Sequence, residues 1–108
     1  MPILKFNGVE SKKLCAISKE LVDELENLLK CPREYFSLEV IQSSCVKDGE
    51  FVDISPRIEI AWFDRGQELQ DQAAKIITRH INSLEYPNVD VVFTCLEELK
   101  YYENGEHF

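Results

Sequence analysis

Three kinds of group in this chain could do chemistry together: an amine, a guanidinium and a phenol. Proline stands directly after Met1, and a small second residue favours removal of the methionine, which would leave Pro2 as a free secondary amine. Such an amine can serve as a general base or a nucleophile. While Met1 remains, the Pro2 nitrogen is an amide without a basic lone pair. The residue then reads as a strand opener, where a fixed φ and a missing N–H cost least. Arg65, in Asp64-Arg65-Gly66, could grip a carboxylate with its bidentate fork. The competing reading is a solvated loop residue paired with Asp64 or Glu68. Arg57 is a second cation, read equally as a strand-end surface charge, and Tyr101 and Tyr102 could polarise a substrate oxygen or simply pack.

Other reactive types read as structural. Cys15, Cys31, Cys45 and Cys95 form no C-x-x-C and have no histidine at ligand spacing, so reduced thiols are expected, with no metal or cofactor. His80 falls on an apolar helical stripe, as a core or interface histidine, and His107 lies near the chain end. The carboxylates Glu97, Glu98, Glu103 and Glu106 read as solvated.

The elements that must position these groups come in two copies. Pro2 to Phe6 is strand-like, and Ser11 is a plausible N-cap for an amphipathic run to Lys30 through Leu14, Ile17, Leu21, Leu25 and Leu28. Cys31-Pro32 stops that helix, and Phe36, Leu38 and Val40 alternate as a strand. Ile58, Ile60 and Trp62 then alternate, Leu69, Ala73, Ile76, Ile77, His80 and Leu84 form a second stripe, and Val89, Val91, Phe93 and Cys95 alternate after Tyr86-Pro87. A constant shift of 55 positions superposes Leu14 on Leu69, Leu21 on Ile76, Leu29 on Leu84 and Pro32 on Pro87. The expected fold is α+β: duplicated β-α-β units forming a four-stranded sheet with two helices on one face, plus an inserted hairpin turning at Asp48-Gly49. One domain covers 1–108, with pseudo-repeats at about 2–41 and 57–96, the hairpin at 43–55 and a tail at 97–108. The far sheet face would carry Lys5, Ser37, Glu39, Ala61, Val92 and Thr94, a mixture compatible with water or with another subunit.

Composition narrows the partners. Apolar residues are 44% and charged residues 30% of the 108, as in a folded soluble domain. No apolar run could span a bilayer and no leader pattern precedes the first strand, so a cytoplasmic protein without membrane contact is expected. A net charge of -8 without clustered Lys and Arg argues against nucleic acid, yet it allows a small anionic substrate held by one or two arginines.

With Pro2 at its head, this duplicated β-α-β framework resembles the tautomerase superfamily, including its macrophage migration inhibitory factor and 4-oxalocrotonate tautomerase groups. Pro32-Arg33-Glu34-Tyr35-Phe36 is similar to a Pro-x-x-Tyr-apolar junction of that superfamily. Trp62-Phe63-Asp64-Arg65-Gly66-Gln67-Glu68 and the ending Tyr101 to Phe108 resemble a bacterial branch of it with no assigned activity. The resemblance implies a homotrimer whose sites lie near subunit interfaces around Pro2. It also implies proton transfer or hydration on a 2-keto or unsaturated carboxylate, with Arg65, Arg57 and Tyr102 as candidate substrate contacts. The loop equivalent to Arg65 in the first repeat, Val9 to Lys12, has no arginine, and Cys31 stands where the resemblance leads one to expect a lysine. Two alternatives remain beside this reading: a non-catalytic trimer on the same scaffold, and a ferredoxin-like ligand-binding regulatory module.

Overall fold

The computed structural model describes all residues, 1–108. Alternating apolar residues define its two central strands, β1 (Ile3–Asn7) and β5 (Arg57–Phe63), which run antiparallel with Leu4 opposite Ile60 and Phe6 opposite Ile58. Leu4, Phe6, Ile58, Ile60 and Trp62 are buried while Lys5 and Glu59 between them are exposed, the pattern of a sheet covered on one face. β2 (Ser37–Ile41) adds parallel to β1, and β6 (Asp90–Leu96) parallel to β5. The strand order is therefore β2-β1-β5-β6. The two crossovers are α1 (Ser11–Leu29) and α2 (Gln67–Asn82).

Each helix lays one stripe on the sheet, Leu14, Leu21, Leu25 and Leu29 from α1 and Ala73, Ile77 and Ile81 from α2. They join the strand residues in one core whose largest member, Trp62, stacks at 4.8 Å on Phe93. Truncating such a ring costs about 3–5 kcal/mol. Where α1 and α2 touch, the Glu24 carboxylate accepts from Arg79 at 2.8 Å and meets Nε2 of His80 at 2.5 Å. The histidine read as a packed residue thus has a partner, supplied by the other helix.

Helix ends depart from the sequence expectation. Ser11 is the first helical residue rather than the cap, and Glu10 holds the cap position without a side-chain bond. The Glu10 N–H donates instead to the Tyr86 hydroxyl at 3.1 Å, a tertiary partner no local pattern reveals. At the far end Lys30 turns left-handed (φ 55°) and returns its N–H to the Glu26 carbonyl at 2.9 Å. α2 stops at Asn82, so Leu84 lies beyond it, in a tighter turn whose N–H bonds the Ile81 carbonyl.

The duplication is present, but its shift is not constant. The Pro2 carbonyl accepts from the Ser37 N–H and the Pro56 carbonyl from the Asp90 N–H, each at 3.0 Å, so these two prolines are equivalents 54 positions apart. Buried helix residues match at 56, Leu21 with Ile77 and Leu25 with Ile81, and the last strands match at 53, Leu38 with Val91. The cause is length: β5 has 7 residues against 5 in β1, and α2 has 16 against 19 in α1.

Two hairpins decorate opposite ends of the sheet. β3 (Cys45–Lys47) and β4 (Glu50–Val52) pair around Asp48 and Gly49, both with positive φ, beyond the end of β2. Val46 and Phe51, cross-strand neighbours on that hairpin, are exposed. After β6, a second tight turn at Asn104-Gly105 joins β7 (Tyr102–Glu103) to β8 (Glu106–His107). Tyr101 and Phe108 pin this tail to Phe63, with ring centroids 5.8 and 5.6 Å away. On the uncovered sheet face Lys5 stands in register between Glu39 and Glu59, so the centre of that face is charged. No helix is long and apolar enough to cross a membrane.

Candidate active site

Pro2 opens β1 at the end of the sheet where β5 finishes. Ile3 pairs with Ala61, and continuing that register sets Pro2 abreast of Trp62 and Met1 abreast of Phe63. Pro2 is fully buried, and behind it lies an apolar cavity of about 10 Å³ lined also by Trp62, Leu29, Phe36 and Phe93. That space is no larger than a water molecule needs, so a reactant could approach the chain start only from the Met1 side.

Two loops reach that side. The first follows β5, where the Asp64 carboxylate turns inward to accept the Gly66 N–H at 2.9 Å and so is spent within its own turn. Gly66 takes φ 88°, and Arg65 between them extends over the Trp62 ring, its guanidinium carbon 5.9 Å from the centroid. Nη1 of Arg65 donates to the Leu29 carbonyl at 3.3 Å, at the negative end of α1. The second loop, Lys30 to Phe36, leaves that same helix end and carries the half-buried Cys31.

Arg65 differs from every other arginine in the chain. Arg33 pairs with Asp23 and Glu26, Arg57 with Glu59, and Arg79 with Glu24, whereas Arg65 has no carboxylate partner. Its Nε–H and the indole N–H of Trp62 are both buried without an acceptor. Burial holds the Met1 α-amino group below its ordinary pKa, the Arg65 charge acts in the same direction, and the Cys31 thiol opposes them. Amine, guanidinium and thiol therefore share one neighbourhood.

The remaining candidates lie elsewhere in the chain. Arg57 is opposite Asn7, at the other end of the sheet from Pro2, and makes a 3.7 Å ion pair with Glu59. Tyr102 is exposed on the tail hairpin, packed edge-on against His107, and its neighbour Tyr101 is committed to Phe63 and Phe108. Reading the sequence missed two participants, the Trp62 platform under Arg65 and the closeness of Cys31 to the chain start. Only the parallel β1–β2 pairing brings the second about, although the Ser55-Pro56 opening of β5 does echo Met1-Pro2 in the sequence.

Comparison with known proteins agrees with this architecture. A family model described as a domain of unknown function, DUF1904, matches residues 1–107. A DUF1904 domain from Sebaldella termitidis is 34% identical over 100% of both chains, with a TM-score of 0.92. The fold extends to a macrophage migration inhibitory factor-like protein from Entamoeba histolytica, at 17% identity, a TM-score of 0.74 and coverage of 99% of this chain and 98% of that one. It extends also to a fused 4-OT solved as a symmetric trimer, at 15% identity, a TM-score of 0.76 and coverage of 97% and 94%. No curated protein matches. These likenesses favour the tautomerase architecture over the ferredoxin-like alternative. The chain belongs to the DUF1904 family and has the fold of the tautomerase superfamily.

Proposed function

We propose that this chain is a small acid/base enzyme of tautomerase type. The Pro2 amine, freed by removal of Met1, moves a proton on a 2-keto or unsaturated carboxylate whose carboxyl group Arg65 holds. One observation carries the reading: the single arginine without a carboxylate partner lies beside the chain's amino end. An unpaired guanidinium on an indole platform is a ready receptor for an anion. Removing Met1 both creates the basic lone pair and clears the space in front of it.

In this mechanism the neutral amine takes a proton from the carbon next to the keto group, and the ammonium returns it to the enol. With Met1 in place, burial first and the Arg65 charge second hold the chain's amino group below its ordinary pKa, and an amine at Pro2 would start from the same surroundings, which favour its neutral form. Arg65 fixes the reacting carbon relative to Pro2 and is not itself a proton carrier. Arg57 and Tyr102 could join a Pro2 site only from a neighbouring protomer, in a homotrimer like that of the fused 4-OT. The complete burial of Pro2 favours one alternative, a trimer on this scaffold without turnover.

Intact mass spectrometry and a UV assay for ketonisation of simple 2-keto acids, wild type beside Pro2→Ala, separate these readings. Loss of Met1 together with a rate that collapses in the variant is the expected result. A retained Met1, or equal rates, overturns the proton-transfer reading.

A further inference from the structure

The proton-transfer reading leaves one reactive group at the site unused, the thiol of Cys31. This cysteine follows the left-handed turn at Lys30, and its side chain is half-buried against the core. Its surroundings set it apart from the other three thiols. Arg65 bonds the Leu29 carbonyl, so a guanidinium with no carboxylate partner sits two residues from Cys31 and covers the negative end of α1. The chain's amino group adjoins both. Independently, the Nε–H of Arg65 and the indole N–H of Trp62, a residue 1% exposed, are buried donors with no acceptor. A buried donor left unpaired calls for an acceptor, which a water or an anionic oxygen can supply. By contrast, Cys15 and Cys95 are exposed, on the outer surface of α1 and on β6, and Cys45 lies on the β3–β4 hairpin.

We propose that Cys31 is a nucleophilic thiol that captures small electrophiles bearing a carboxylate, Arg65 holding the carboxylate and the adjacent terminal amine receiving the thiol proton. The reacting form is the thiolate, so the step needs the proton acceptor that the terminal amine supplies. With an α,β-unsaturated carboxylate, sulfur bonds the β-carbon, the π pair moves to the α-carbon, and the ammonium returns the proton there. With a haloacetate, the S–C bond forms as the carbon–halogen bond breaks and halide leaves. The proposal rests on the anion-holding role given above to Arg65 but needs no turnover by Pro2, so it can be tested whether or not that activity exists.

Iodoacetate and iodoacetamide differ in charge and share the alkylating carbon, which makes them the probes. The full chain is treated with limiting amounts of each, and alkylation of each cysteine and of the amino terminus is followed by peptide mass spectrometry. The ratio of iodoacetate to iodoacetamide rates should be about tenfold higher at Cys31 than at Cys15 and Cys95, from attraction to a nearby unpaired cation. Arg65→Gln should bring it down to theirs. Should that variant not fold, wild type at about 1 M salt should show a fall in the same direction, smaller because Arg65 is partly buried, since charges facing solvent are then screened within about 3 Å. A ratio at Cys31 equal to that of the exposed thiols, an inert Cys31, or carboxymethylation of the amino terminus in its place would each overturn the proposal.

Discussion

Pro2 and Pro56 hold equivalent places at opposite ends of one sheet, and the two ends have become chemically unlike. Each proline is buried, opens a central strand and accepts a 3.0 Å hydrogen bond from the residue that starts the adjoining parallel strand. Pro56, however, is reached by a continuous chain, and its nitrogen is permanently an amide. Around it the loop positions matching Arg65 and Cys31 are filled by the buried Val9 and by Tyr86, whose hydroxyl closes on Glu10. Gly8 is packed there against Ile54 and Pro56. The Pro56 end thus keeps an open pocket of about 470 Å³ beside Gly8 and Tyr86, lined by neither amine, arginine nor thiol, whereas the other end keeps all three. A duplicated chain has only one amino terminus, so position in the chain decides which copy of a fold can do amine chemistry.

The sharpest way to break this contrast is to remove each proline in turn. Pro2→Ala replaces a ring-held secondary amine by a freely rotating primary one and is expected to lower kcat/KM for a 2-keto acid about 100-fold, the scale of misplacing a reacting group. Pro56→Ala should leave it within about threefold while costing about 0.5–1 kcal/mol of stability in a denaturant titration, through added freedom of the unfolded chain. Equal losses of activity would erase the distinction between the ends.

Next in size is the cation. Arg65→Gln should raise KM about 10- to 100-fold, from the loss of hydrogen bonds to a charged group. It should also shift the pH profile. The rate should climb with pH through an apparent pKa below about 8, the ordinary α-amino value. The Arg65 charge lowers the pKa of the Met1 amino group; if it acts likewise on an amine at Pro2, the apparent pKa should move up in the variant. A pH profile that does not move would detach Arg65 from the amine.

Smaller effects separate the loops at the two ends. Gly8 has φ 80°, and an added Cβ would lie 3.2 Å from Ile54, whereas Gly66 has φ 88° with open space around it. Gly8→Ala and Gly66→Ala should each cost about 1–3 kcal/mol in thermal unfolding, Gly66 through backbone alone, because φ 88° with ψ 157° is a region essentially only glycine enters, and Gly8 through backbone and contact together. A negligible cost at Gly8 would contradict its close packing on Ile54 and Pro56.

The smallest effect lies midway, between the helices. Hydrogen bonds from Arg79 first and His80 second hold the Glu24 carboxyl below its usual pKa. A depressed carboxyl stabilises the fold above its unfolded value, and that benefit is lost as pH falls through the folded value. Glu24→Gln should therefore cost about 0.5 kcal/mol near neutrality, the scale of a solvent-screened pair, and nothing under strong acid.

Much of the scaffold was legible because prolines, glycines and apolar spacing mark local structure. Pro32, Asp48-Gly49 and Asn104-Gly105 each sit at a helix end or turn, as expected, whereas α2 stops at Asn82, before the Tyr86-Pro87 expected to end it. The exact correspondence of the repeats was not legible. On an amphipathic helix, shifts of 55 and 56 both superpose apolar residues, and only burial shows that Leu25 matches Ile81 rather than His80. Pro56 was hidden for the same reason, at the edge of the inserted segment. At the site, Asp64 and Glu68 flank Arg65 in sequence and suggest a local ion pair. The turn that gives Asp64 to the Gly66 N–H removes one of those partners, and that is a property of backbone conformation.

The contact of Glu24 with Arg79 and His80 has a historical implication. Glu24 and His80 are 56 positions apart, the interval at which buried residues of the two helices correspond, so they stand where a two-fold axis between the repeats would pass. In a half-length ancestor pairing with its own copy, each residue at such a place confronts its twin, glutamate against glutamate or histidine against histidine. A chain that carries both halves can instead put a carboxylate against an imidazole and a guanidinium, as this one does. The same continuity of chain that leaves Pro56 without an amine also gives the molecule an attraction across its own seam that no symmetric pair could make.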